Sequence, residues 1–168
     1  TQTSDIADLG GFVGQVLTEA ALTINRLINA ASLAGEHDHV GGILGTINDD
    51  SIVSIVDSVN YGDIVAEEDE VGGFVGDNNG VLVIEDSFNY AAIIGEDEVG
   101  GFVGDSSNVT IKNSINYGLV SHENSDGQQI GGLIGDGGDT SSDTVTIIKS
   151  ANHGRVIGTG EDGIGGLI

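Results

Sequence analysis

The chain has 168 residues, with 29 Gly and no Pro, Cys, Met or Trp. Four Lys and Arg against 27 Asp and Glu leave a formal charge of −23, a field that repels nucleic acid and anionic membranes and favours cations, basic partners or plain solubility. The absence of Cys excludes a disulfide framework and a thiolate metal site, and no apolar run approaches the roughly 18 residues of a membrane-spanning helix, so no membrane insertion is expected.

Taken in chain order, the first phrase is LGGFVG at 9–14. It returns as VGGILG at 40–45 and as EVGGFVGD at 70–77. The same eight letters recur at 98–105, followed by IGGLIG at 130–135 and IGGLI at 164–168. Aligned on their first Gly, successive copies lie 28–34 residues apart. A second phrase stands between them: DSVNYGDIV, DSFNYAAII, NSINYGLVS and KSANHGRVI, with RLINAASLA as a degenerate first copy. Its Asn column is Asn29, Asn60, Asn89, Asn116 and Asn152.

Five residues before each Asn stands Ile24, Ile55, Ile84, Ile111 or Ile147, with another apolar residue two positions earlier and mostly Thr or Ser between. That alternation marks a half-buried strand. Leu33, Ile64, Ile93, Val120 and Val156 form a further apolar column four residues after the Asn. The segment LTEAALTINRLINAA at 17–31 is rich in Ala and Leu, yet the repeat frame runs through it and it reads as strand. Segments this short do not suit amphipathic helices, and the repeat is too short for a propeller blade. The expectation is an all-β chain: a β-solenoid, or parallel β-helix, of about five coils with three short strands per coil. A single repeat domain would span 1–168, with coils beginning near 9, 40, 71, 99, 130 and 164. Equivalent residues would stack about 4.8 Å apart, and the five Asn would form an amide ladder.

The two-part phrase, VGGFVG followed by SFNYAAIIG or SINYGLV and then VGGFVG again, resembles the GLUG-motif repeat of bacterial surface and secreted proteins, over nearly the whole chain from about residue 9. The resemblance implies a structural repeat outside the cell or at its surface, beside any catalytic domain rather than itself an enzyme. The alternative is an adhesin-type module that binds glycans or a host protein.

The residues themselves offer little catalysis. There is no HExxH, P-loop or GxSxG, and acid pairs such as Asp57 with Asp86 resemble a glycosidase site only by fold analogy. GEHDH at 35–39 offers His37 and His39 to a metal, but only once in the array. The acidic turns AEEDE and GEDE place Glu68 and Glu70 one coil from Glu96 and Glu98. Calcium would relieve the repulsion between those rungs, and no other cofactor is expected. NVT at 108–110 makes Asn108 a glycosylation acceptor, expected in a turn. Tyr61, Tyr90 and Tyr117 follow the Asn on successive coils, as a ladder for sugars or a stabilising spine.

Self-association is expected by two routes. In VGGFVG two adjacent columns are apolar, and adjacent strand residues point to opposite faces. One column, Phe12, Ile43, Phe74, Phe102, Leu133 and Leu167, would therefore face outward as a lateral interface, unless a bend at GG turns both in. Terminal coils of a solenoid present unpaired strand edges, so head-to-tail stacking is expected too. The chain begins with Thr and ends in mid-phrase, as an excerpt from a longer array or as one unit of a polymer.

Overall fold

The computed structural model describes residues 8–36, 38–122, 128–138, 140–158 and 163–168. The described residues hold strands and turns and no helix. Every strand pairs in parallel with its equivalent one repeat away, so the chain winds a β-solenoid of about five turns. The segment at 17–31 contributes the strand Ala21–Asn25.

The three apolar segments of each repeat are distributed over four sheets. A glycine sheet of six two-residue strands runs from Leu9–Gly10 through Val40–Gly41, Val71–Gly72, Val99–Gly100 and Ile130–Gly131 to Ile164–Gly165. A long sheet of eight strands follows; Val75–Glu85 and Val103–Lys112 cross it unbroken, whereas the second coil divides it into Leu44–Ile47 and Ile52–Val56. A five-stranded asparagine sheet holds the Asn column, as in Val59–Asn60 and Phe88–Asn89. A five-stranded closing sheet includes Ile64–Ala66, Ile93–Gly95 and Val120–His122.

Two cores fill the coil. Ile43, Leu44, Phe74, Val75, Phe102 and Val103 meet Val53, Ile55, Leu82 and Ile84 in the larger one. Val40, Val71, Val99 and Ile130 meet Ile64, Ile93 and Val120 in the smaller one. The chain passes from one core to the other at the GG pair. A Cβ on Gly41, Gly72 or Gly100 would stand 1.8–1.9 Å from the carbonyl oxygen three residues on. On Gly42, Gly73 or Gly101 it would stand 2.2–2.3 Å from the next coil's carbonyl and within about 3 Å of an Asn side chain. The waist between the cores is therefore too narrow for any residue but glycine.

That bend corrects the lateral interface. Ile43, Phe74, Phe102 and Leu133 are fully buried, and so are Leu44, Val75, Val103 and Ile134 beside them. Alternation holds along a straight strand only, and the sharp turn at GG points both columns inward. Phe74 and Phe102 pack with centroids 4.8 Å apart as part of the core. Of the proposed stripe only Phe12 and Leu167, in the end coils, are exposed.

Candidate functional site

Two kinds of column run along the solenoid. The first lies at the waist. Asn29 Nδ2 donates to Asn60 Oδ1 at 2.8 Å, Asn60 to Asn89 at 3.1 Å, Asn89 to Asn116 at 2.8 Å and Asn116 to Asn152 at 3.0 Å. Each Oδ1 also takes the amide two residues on, as from Gly62 and Gly118. Asn60 and Asn116 Nδ2 reach across the waist to the carbonyls of Gly73 and Gly132. A serine column reinforces the ladder: Ser58, Ser87 and Ser114 amides donate to Ser87, Ser114 and Ser150 Oγ, each at 3.1 Å. These serines went unread in the sequence, although the S of DSVNY, DSFNY and NSINY marks them.

The second column is acidic. The residue before each glycine-sheet strand turns a corner: His39, Glu70, Glu98 and Gln129 all have left-handed backbone, with φ between 46° and 58°. Asp8 holds the matching place in the first coil. The chain bends at GG and returns, so that the residue after GGxxG faces this corner. Gln15 Nε2 donates to Asp8 at 3.1 Å, and Gln129 Nε2 to Asp136 at 2.8 Å. Between these amide-capped ends lie His39 with Thr46, Glu70 with Asp77 and Glu98 with Asp105. The outer letters of the repeated EVGGFVGD are thus two facing rungs of one rail. Neither column of the rail contains Lys or Arg.

The electrostatics follow from that arrangement. Burial, then the charge of Glu70, pushes the Asp77 carboxyl up to about 7. Burial, then Asp105, Glu70 and Asp136, pushes Glu98 up to about 8. His39 is raised to about 9, chiefly by its contact with Glu70 and further by Asp8, against the opposing effect of burial. Its Nδ1 lies 2.9 Å from Asp8 and its Nε2 2.5 Å from Glu70.

The four glutamates of the calcium expectation stand one coil apart as expected, but as two separate pairs. Glu70 and Glu98 stand in the rail, whereas Glu68 is exposed in the preceding turn, and the Glu96 amide donates to the Glu68 carbonyl there. The left-handed corner at Glu70 and Glu98 sets that pair apart from Glu68 and Glu96 in the turn before it. Among the described residues, the ligand-bearing group whose donor atoms converge is His39, Glu70 and Asp77. His37 lies outside the described residues. Asp57 and Asp86 occupy exposed left-handed corners on another column. Asn108 is in the strand Val103–Lys112, not a turn; it pairs with Val81 and Thr144, and its carbonyl accepts from Asn78.

The three tyrosines are exposed and stack on one another. Ring centroids lie 5.2 Å apart for Tyr61 and Tyr90 and 4.9 Å for Tyr90 and Tyr117, with planes within 13°. His153 closes the row edge-on. The chain matches no known protein family, and no curated protein or solved structure is significantly similar to it.

Proposed function

We propose that this chain is a structural repeat protein whose coils stack end to end, building or decorating a filament, stalk or surface layer. The supporting observation is the contrast between interior and end coils. The column that is fully buried at Phe74 and Phe102 is 59% exposed at Phe12 and 41% at Leu167. Among the described residues, the strands Leu9–Gly10 and Ile164–Gly165 each pair on one side only. Among the described residues, both end coils thus present apolar rungs and strand edges that a further coil, of the same polypeptide or of a second copy, would cover. The extracellular setting rests on the resemblance to GLUG-motif repeats.

The middle of the tyrosine row argues against a sugar-binding platform there. A sugar stacks on the face of an aromatic ring, and both faces of Tyr90 are covered by its neighbours. At Tyr90 the rings stabilise the stack instead.

Sizing and electron microscopy of the 168-residue chain at rising concentration test the reading. Association in register is expected. Phe12→Asp with Leu167→Asp should weaken it while leaving the melting temperature nearly unchanged. A compact monomer under every condition, with both end coils protected from hydrogen exchange, would overturn it.

A further inference from the structure

Most columns of this solenoid repeat one residue type; the corner column changes, reading Asp8, His39, Glu70, Glu98 and Gln129. Only at His39, in the second coil, does it bring an imidazole against carboxylates, Asp8 of the first coil and Glu70 of the third. We propose that His39 Nε2, Glu70 and Asp77 form a site for one first-row divalent transition-metal ion of the zinc class.

The donor atoms of the three residues all lie within 4.8 Å of one another. A tetrahedral ion with bonds of about 2.0–2.2 Å needs donors somewhat closer than that, a change within reach of side-chain rotation. The imidazole is already oriented. Nδ1 sits 2.9 Å from Asp8 Oδ1, which also accepts from Thr46 Oγ1 at 2.5 Å, while Gln15 holds the other Asp8 oxygen. A carboxylate gripping one ring nitrogen, so that the other points at a ligand, is the usual support of a metal-binding histidine.

One of the acceptors beside it lacks an aligned hydrogen bond. Glu70 Oε2 is sealed from solvent and meets His39 Nε2 at 2.5 Å without the alignment of a normal hydrogen bond. Asp77 is only 5% exposed, and Asn79 satisfies one of its oxygens. Two carboxylates this enclosed, with no Lys or Arg in either column, have only the His39 ring as a positive partner, and a divalent ion held between ring and carboxylates would offset their charge more fully. One imidazole and two carboxylates suit zinc-class ions better than calcium, which takes 6–8 oxygens. Three protein ligands leave a fourth position to water.

Co(II) is the probe, added to chelator-stripped chain in physiological salt with millimolar Mg(II) and Ca(II) to occupy exposed carboxylates. One Co(II) per chain is expected, with a visible d–d band, displacement by Zn(II), and the His39 ring resonances perturbed before those of His122 and His153. His39→Asn keeps a residue type that tolerates the left-handed corner, and Asp77→Asn keeps the side-chain shape. Each should weaken binding at least about tenfold, while Glu68→Gln should not. Circular dichroism checks that the variants fold, and the resonance order in the unmodified chain decides the matter if they do not. Binding without a d–d band, unchanged in His39→Asn, or reaching all histidines together would overturn the site and leave diffuse carboxylate binding.

Discussion

The asparagine waist and the acidic rail are both columns with rungs one coil apart, and they behave in opposite ways. An amide carries a donor and an acceptor, so each rung satisfies the one above and the one below, and the column can extend without limit. A carboxylate carries acceptors only. Stacked carboxylates repel, and burial raises the cost. The waist accordingly keeps Asn in all five coils. The rail varies, with Asp8 and Asp136 held by amides and an imidazole against Glu70. Repetition in this fold stabilises where rungs complement each other, and chemistry gathers where they do not.

The largest effect should come from breaking the waist. Asn89→Leu removes the bonds to Asn116, Ala91 and Asn60 and crowds a side chain against Gly73. A loss of about 3–5 kcal/mol is expected, read by denaturant unfolding.

The rail predicts the next effect, on pH dependence. Asp77 and Glu98 have folded values near 7 and 8, above the ordinary 3.8 and 4.5. The folded state therefore binds more protons than the unfolded one. The stability these two groups contribute is fully present below about pH 4 and is lost as pH rises through those folded values. His39, raised from 6.5 to about 9, acts in the same direction over a higher window. The chelated chain should melt about 5–10 °C higher at pH 5 than at pH 9.

A smaller effect isolates one rung. Glu98→Gln should add about 1 kcal/mol at pH 9 and almost nothing at pH 4, because Gln already stands in this column at 129. Glu68→Gln, in the exposed turn, should change stability by under about 0.5 kcal/mol at either pH.

The coils, their period and the Asn column were legible because each rests on a spacing that recurs five times. The rail was legible as letters, in the E and D of EVGGFVGD, but not as a pair. Pairing Glu70 with Asp77 requires the chain to double back at GG, and the narrow waist that forces this emerges only once the coils are stacked. The same bend explains the misplaced Phe74 and Phe102, since alternation was carried across a corner where it does not apply. The one-coil spacing of Glu68 and Glu96 was legible in the acidic turns, but not the left-handed corner that carries Glu70 and Glu98 into the rail.

The most direct test of the contrast between the two columns is a carbon-detected NMR titration of the side-chain carboxyls in the chelated chain. Midpoints of about 8 for Glu98 and about 7 for Asp77 are expected. Midpoints for Glu98 and Asp77 near the usual 4.5 and 3.8 would show that the rail bears no unrelieved charge, and would contradict it.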